Sequence, residues 1–188
     1  MQTTITRVRA FINDNDYCDL QQSDEAIKER ILSVQNDLIG EFSTNIQRVV
    51  VPACESIELE NEIAKAFIIR FLNAELKSAM IPRALHLEGI TFTHLGGKRY
   101  ALLGLGDREG ELEIIASFFE WEKLVLGERY ARALILGVVC EFLLLPTNAH
   151  NLERLQFYRR EYREARDRIH AENNRALNPT HLESRIHF

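Results

Sequence analysis

The chain has 188 residues, of which 46% are apolar and 27% charged, as in an ordinary folded domain, so wholesale disorder is excluded. Nine glycines and four prolines exclude collagen-like and linker-like chains, and an odd set of three cysteines argues against a secreted disulfide scaffold. The net charge of −5 is uneven, because residues 151–188 hold eight arginines and six acidic residues, which suits docking to a charged partner or a neighbouring copy.

Two amphipathic helices are predicted at the start of the chain. Apolar residues at helical spacing place the first helix over residues 3–12. Ser23 is a good N-cap for the second helix, which extends to about Phe42. Its apolar row consists of Ile27, Ile31, Val34 and Leu38.

A third, central helix is predicted from Glu55 to Ser78. Two adjacent apolar rows at helical spacing give it a wide apolar surface, which favours burial on two sides. These rows are Ile63, Phe67 and Phe71, and Ala64, Ile68 and Leu72.

An alternating pattern then predicts a β-hairpin over about residues 88–103. Gly96 and Gly97 fit its tight turn, because both tolerate positive φ. An isolated hairpin is marginally stable in water, so we expect it to pack on the helices or to complete itself against another chain.

Two further helical regions are predicted after the hairpin. The first extends from about Glu109 to Leu145, with a break expected near Gly127 because glycine weakens a helix interior. The second is an Arg-rich amphipathic helix over residues 151–177, whose apolar residues follow a heptad spacing. This seam consists of Leu155, Tyr158, Tyr162, Ala165 and Ile169.

The polar side of the Arg-rich helix admits three interpretations. Its arginines and acidic residues interleave, which is typical of a solvated, salt-bridged face. Arginine is also favoured at interfaces, which would make the face a contact with another subunit or partner. A contact with a nucleic-acid backbone has less support, because the local net charge is small.

These elements predict a mainly α fold, a bundle of about four to five helices with one inserted β-hairpin and an extended C-terminal arm. The expected divisions are a helical body over residues 1–150, the Arg-rich helix over 151–177 and the arm over 178–188.

No motif in the sequence supports catalysis or a bound cofactor. The glycines between Gly104 and Gly110 lack the spacing of a dinucleotide fingerprint, and Asp107 and Glu109 would repel a pyrophosphate. The sequence has no H-E-x-x-H, C-x-x-C or G-x-S-x-G motif, and Cys140 is predicted to be a small buried hydrophobe. We therefore predict a protein that is not an enzyme and that uses no metal or cofactor.

Four short runs near the N-terminus form a series. Ile5–Arg9 contains Thr-Arg-Val-Arg, Asp14–Asp19 is a polar loop with Asp, Ser23–Ile27 opens a helix with Ser-Asp, and Val34–Leu38 carries a late Gln. This series, over about residues 4–42, resembles the opening of bacteriophage head–tail connector (adaptor) proteins, and the order of the later predicted elements is also similar.

The resemblance implies a structural virion protein that forms a ring of about twelve copies between the portal and the neck or tail, with DNA passing through the channel. The implied partners are other copies of the chain, the portal protein, a neck or tail-completion protein and transient, non-specific DNA, but no membrane. Its implied location is the head–tail junction, after assembly in the host cytoplasm. The first 20 residues contain no apolar stretch of the kind found in signal peptides, which agrees with that location.

Three sets of contact residues are expected. The arm and the preceding helix end would contact the portal through Leu177, Leu182, Arg185, Ile186 and Phe188. The Arg-rich helix would form the subunit interface through Leu155, Tyr158, Arg159, Tyr162, Arg163 and Ile169. The hairpin would offer Phe92, His94, Lys98 and Arg99.

Two other functions stay open. One is a small helical interaction or regulatory protein that dimerises through the 155–169 seam. The other is an enzyme with a site between helices, which would need a pocket with convergent, pKa-shifted groups.

Overall fold

The computed structural model describes residues 1–12, 22–72, 85–86, 91–104, 110–144 and 149–177. These residues form four helices and seven strands in a mixed α/β fold, so the mainly α bundle predicted from the sequence is wrong. The chain divides into two compact units. Met1–Gln35 and Glu122–Phe188 form the first, which we call the helical unit, and Asn36–Trp121 forms the second, which we call the sheet unit.

The helices of the described chain are α1 (Gln2–Ile12), α2 (Asp24–Phe42), α3 (Glu128–Leu143) and α4 (Ala149–Leu177). The two predicted N-terminal helices and the predicted last helix are therefore confirmed. The predicted cap of α2 is confirmed too, because the backbone N–H of Ala26 donates to Ser23 Oγ at 3.1 Å.

Helix α3 forms the core of the helical unit. Residues 133–140 are buried without interruption, because α1 and α4 both pack on this helix. A helix that is covered on several sides has no polar face, which explains the apolar run in the sequence. Cys140 lies in this run, and burial raises the pKa of its thiol to about 11. Its predicted role as a small buried hydrophobe is confirmed.

The strands of the sheet unit are β1 (Ile46–Pro52), β2 (Ser56–Glu58), β3 (Ile63–Leu72), β4 (Leu85–His86), β5 (Thr91–Gly96), β6 (Arg99–Leu103) and β7 (Glu111–Phe118). They form two antiparallel sheets with the strand orders β1-β7-β3-β4 and β2-β6-β5. Among the described strands, β1 is therefore an edge of the first sheet and β2 an edge of the second.

Side chains from both sheets meet in one core. Strand β7 contributes alternate residues to it, as expected for a strand with one face inward. The phenol of Tyr100 on β6 links the two sheets, because the backbone N–H of Ile63 on β3 donates to Tyr100 Oη at 2.7 Å. Burial raises the pKa of Tyr100. The buried core residues are Ile57, Leu59, Phe71, Tyr100, Leu102, Leu112, Ile114, Ala116 and Phe118.

The helix predicted from Glu55 to Ser78 is wrong, because the described part of this segment forms β2 and β3. An almost continuous apolar run satisfies the spacing of a helix and of a buried strand equally well. The deciding interactions are non-local, since β7 pairs with one side of β3 and β4 with the other.

The helix predicted from Glu109 to Leu145 is wrong in its first half and correct in its second. Residues 111–118 form β7, and α3 begins only after Gly127, which occupies the N-cap position. The break expected near Gly127 is thus the true start of the helix. Strand β1, which the sequence patterns did not predict, pairs with β7 along its whole length.

The predicted hairpin is confirmed for the described residues 91–103, as β5 and β6. Its turn contains Gly96 and Gly97 with φ of 117° and 58°, values that favour glycine. The hairpin is not isolated, because β2 adds a third strand on the free side of β6.

Two buried amides on α2 fasten the irregular segment between β7 and α3. In the helical unit, Gln35 Nε2 donates to the Lys123 carbonyl at 3.0 Å, and the backbone N–H of Val125 donates to Gln35 Oε1 at 2.8 Å. In the sheet unit, Asn36 Nδ2 donates to the Glu120 carbonyl at 3.2 Å, and the N–H of Glu120 donates back to Asn36 Oδ1 at 2.8 Å. These bonds replace the backbone partners that a helix or a sheet would supply.

We expect Gly137→Ala to destabilise the helical unit by about 1–3 kcal/mol through overpacking. A Cβ added at Gly137 on α3 would lie 2.6 Å from Val34 Cγ1 and 3.2 Å from Tyr162 Cζ. The free energy of unfolding in urea, followed by far-UV circular dichroism, measures the loss.

Gly40→Ala is the matched control, since Gly40 also lies within a helix but its added Cβ would be 3.7 Å from the nearest atom, in Phe119. This change should be neutral or stabilising by up to about 1 kcal/mol, because alanine is the better helix former. Equal stability of the two variants would contradict the close packing at Gly137.

Candidate interaction surfaces

A groove of about 700 Å³ lies on the helical unit, between side chains of α1, α3 and α4. Its aromatic part joins Phe11, Phe157 and Tyr158. The rings of Phe11 and Tyr158 meet edge to face with centroids 5.8 Å apart, and those of Phe157 and Tyr158 are 5.3 Å apart. Phe11 is 40% exposed and Phe157 is 49% exposed, which is unusual for phenylalanine. Ile135 and Leu136 of α3 add an aliphatic lining.

Charged groups of both signs border the groove. Arg132 Nη2 donates to Glu161 Oε2 at 2.5 Å, and Arg7 and Glu128 complete the charged lining. Arg154 Nη2 donates to the backbone carbonyl of Phe11 at 2.7 Å, which ties the end of α1 to α4. The arrangement suits apolar and aromatic side chains of a ligand, with charges at the rim that can fix its orientation.

The predicted subunit-interface residues do not share one surface. Leu155 and Ile169 are buried within the chain, where α4 packs on α3, and Tyr162 lies against Gly137. The apolar part of the seam is therefore used inside the helical unit and is not presented to a second copy. Tyr158 instead lines the groove, and Arg159 and Arg163 are exposed. Whether the exposed residues contact another subunit stays a prediction.

Two of the four predicted hairpin contacts support the hairpin itself. The rings of Phe92 and His94 stack on Tyr100 with centroids 4.9 and 5.0 Å away. His94 Nε2 lies 2.8 Å from the Gly97 carbonyl and 3.7 Å from Glu62 Oε1. The other two residues, Lys98 and Arg99, are exposed at the turn.

The predicted arm lies outside the described residues, which end at Leu177, the last residue of α4. The portal contacts predicted at Leu182, Arg185, Ile186 and Phe188 therefore stay predictions. Residues 105–109 of the glycine-rich run lie outside the described part as well.

Three charged residues form an ion triad on the outer face of the first sheet, which is the face that points away from the core. Glu113 on β7 is 1% exposed, and its two carboxylate oxygens accept hydrogen bonds from the Nε groups of Arg48 on β1 and Arg70 on β3. The bond from Arg70 lowers the pKa of Glu113 most, and the bond and charge of Arg48 lower it further. The triad ties β7 to both neighbouring strands.

Exposed aliphatic side chains border this ion triad. The strand register places Ile46 opposite Ser117, Val50 opposite Glu113 and Ile68 opposite Ile115. Ile46 is 58% exposed, and Val50 and Ile68 are each 42% exposed. The outer face therefore carries both apolar and charged side chains, which is the mixed character of a surface that contacts another protein.

The sequence did carry one signal for this surface. Arg48, Arg70 and Glu113 each stand in runs that are otherwise mostly apolar. A lone charge in such a run needs a partner when the run is buried, so strand assignment would have made the three residues candidates for mutual pairing.

No protein-family model matches the chain, and no curated protein matches it either. Within the described residues, no group of three or more His, Cys, Asp or Glu side chains is placed to hold a metal ion. Among the described helices, none combines the length and apolarity needed to cross a membrane.

Glu113→Gln should lower the melting temperature at pH 7, because the two arginines lose the anion that they share. The folded state lowers the pKa of Glu113 from its ordinary value of 4.5. The stability from the ionised carboxylate is therefore present above that pH and is lost as the pH falls through the lower folded pKa. The difference in melting temperature between wild type and variant should be full at pH 7 and should shrink as the pH falls below 4.5.

Glu111→Gln is the control for this pH series, since Glu111 is an exposed carboxylate on the same strand. It should leave the melting temperature nearly unchanged across the range. A Glu113→Gln difference that is as large at pH 3 as at pH 7 would show that the ion pairs are not its source.

Proposed function

We propose that the chain is a structural assembly protein of the head–tail adaptor type, which forms a ring of about twelve copies between the portal and the neck or tail of a tailed phage. The observation that carries the proposal is that each unit has its own unpartnered surface within the described chain. These are the aromatic groove on the helical unit and the edge and outer face of the first sheet. A simple dimer needs one interface, whereas an adaptor must hold neighbouring copies and a different protein at once.

The resemblance of the N-terminal runs supports the proposal, and the first and third runs are joined in the structure. Arg9, from the first run, is 2% exposed, and its Nη2 lies 2.6 Å from Oδ1 of Asp24 in the third run. Gln35, from the fourth run, is fully buried and holds the segment that enters α3. Residues from three of the four runs thus make polar contacts within the helical unit, and the run Asp14–Asp19 lies outside the described residues.

Each surface is assigned one partner in this proposal. The sheet unit contacts the neighbouring copies, and the groove of the helical unit receives apolar side chains of the portal protein. The net negative charge suits a channel through which DNA slides, because acidic groups do not bind phosphates.

The assembly itself is tested by particle size in solution, with light scattering and negative-stain imaging of the full-length chain. We expect a ring of about twelve copies, formed either by the chain alone or after it is mixed with a portal. A stable dimer that ignores the portal would contradict the proposal, and so would a monomer that does not assemble on it.

Phe157→Asp should weaken binding to the portal by about tenfold or more, because buried aromatic anchors dominate interface energies. Phe157 lines the groove, and a carboxylate there would be desolvated by an apolar ligand. Affinity measured by co-sedimentation or surface-based binding gives the result.

Leu152→Asp is the matched control, since Leu152 is an exposed apolar residue of the same helix that does not line the groove. Its affinity should equal that of the wild type. Equal losses for the two variants would point to a general effect of charge on α4 and away from the groove.

A further inference from the structure

Strand β1 has a row of backbone groups that no described residue bonds. The Asn45 carbonyl accepts from the Phe118 N–H at 3.3 Å, and the Ala53 N–H donates to the Gly110 carbonyl at 2.8 Å. In an antiparallel pair, the residues that face the partner strand alternate, so the odd-numbered residues of β1 bond β7. The N–H and C=O groups of Ile46, Arg48 and Val50 therefore point away from β7, toward the open edge.

Strand β2 has an open edge of the same kind. The Leu59 N–H donates to the Lys98 carbonyl at 2.9 Å, and the Leu102 N–H donates to the Glu55 carbonyl at 3.0 Å. By the same alternation, the backbone groups of Ser56 and Glu58 point away from β6.

A cleft of about 220 Å³ lies between β1 and residues 58–61. One wall consists of β1 side chains, the other of residues 58–61, and Phe118 also lines it. At the turn between the strands, Cys54 Sγ donates to the Ser56 carbonyl at 2.8 Å and lies 3.6 Å from the Pro52 carbonyl. Cys54 thus occupies edge acceptors at this turn, and the edge farther along β1 is left open.

The two walls of the cleft differ in charge. Glu58 and Glu60 are exposed on one wall, and no ion pair joins either of them to a described residue. On the other wall, the charge of Arg48 is already matched by Glu113. An extended occupant would therefore bond the β1 backbone, bury apolar side chains and bring a cation to the two glutamates.

The sequence of residues 178–188 has this pattern. Leu182, Ile186 and Phe188 occupy even positions, and Arg185 occupies an odd one together with His181, Glu183 and His187. In an extended chain, side chains at even and odd positions point to opposite sides. One side of such a strand would be largely apolar, and the other would carry the cation of Arg185, with Glu183 two residues before it.

We propose that residues 178–188 of one copy bind in the cleft of a second copy, as a strand added to the open edge of β1. This inference deepens the proposed function and rests on it for the choice of a second copy, because a ring needs each subunit to give and to receive the same contact. It assigns the arm to the contact between copies, whereas the family resemblance implies a contact with the portal.

Val50→Pro tests the backbone contact. The Val50 N–H bonds no described group, so proline, which is tolerated on edge strands, removes only a donor of the open edge. We expect the affinity between copies, measured by sedimentation velocity on the full chain, to fall by about tenfold or more. Val50→Ala keeps the donor and removes only side-chain contact area, so its affinity should fall much less than that of Val50→Pro, and circular dichroism checks that both variants are folded.

A charge exchange tests the side-chain contact and does not depend on proline. Glu60→Arg and Arg185→Glu should each weaken assembly of the full chain, and the double variant should restore much of it. A synthetic peptide of residues 178–188 should also compete with assembly, whereas a scrambled peptide of the same composition should not.

The outcomes separate this inference from the proposed function. Rings that form equally well with Val50→Pro and with both charge reversals would overturn the inference and leave the adaptor function intact. A wild-type chain that binds the peptide, loses this binding with Val50→Pro and yet forms no ring with or without a portal would overturn the adaptor function and keep the strand contact.

Discussion

Two adjacent amides in the middle of α2 determine the course of the chain between β7 and α3. Gln35 and Asn36 are almost completely buried, and they bond the backbone of residues 120–126. Without these bonds the buried amide groups of Gln35 and Asn36 would be unpaired, at a cost of about 1–3 kcal/mol for each group. The boundary between the two units falls between these two residues. Gln35 therefore stabilises the segment within the helical unit, and Asn36 stabilises it within the sheet unit.

The same logic explains what the N-terminal motif encodes. Arg9 is buried against Asp24, the N–H of Ala26 is capped by Ser23, and Gln35 replaces missing backbone partners. Each of these residues satisfies a polar group that folding would otherwise bury or leave unpaired. A resemblance that rests on these residues therefore indicates how the start of the chain folds. Most residues of the proposed contact surfaces lie outside this motif, although Arg7 of its first run lines the groove.

The helices could be predicted from the sequence because their signals are local. Ser23 and the apolar spacing after it lie within one segment, and so does the seam of α4. The first sheet could not be predicted in this way, since Glu113 finds its partners 65 and 43 positions away and the runs around them fit a helix as well as a strand. The groove could not be predicted from local patterns either, because Phe11 and Tyr158 meet only after α1 and α4 pack. Only Tyr158 had a signal, and its heptad position predicted a different contact.

The open edge of β1 is only partly protected against pairing with other strands. Exposed edges in soluble proteins are usually protected by charges or proline. Arg48 stands in the centre of this edge and Pro52 ends it, but Glu113 neutralises the arginine, and Ile46 and Val50 remain exposed beside it. The protection is therefore partial and depends on one carboxylate. An added strand must supply donors and acceptors in register and satisfy Glu58 and Glu60 across the cleft, so an arbitrary apolar strand would leave those two charges desolvated and unpaired. In the proposed contact, selectivity would come from the charges that surround the edge, and affinity would come from the backbone groups that no described residue bonds.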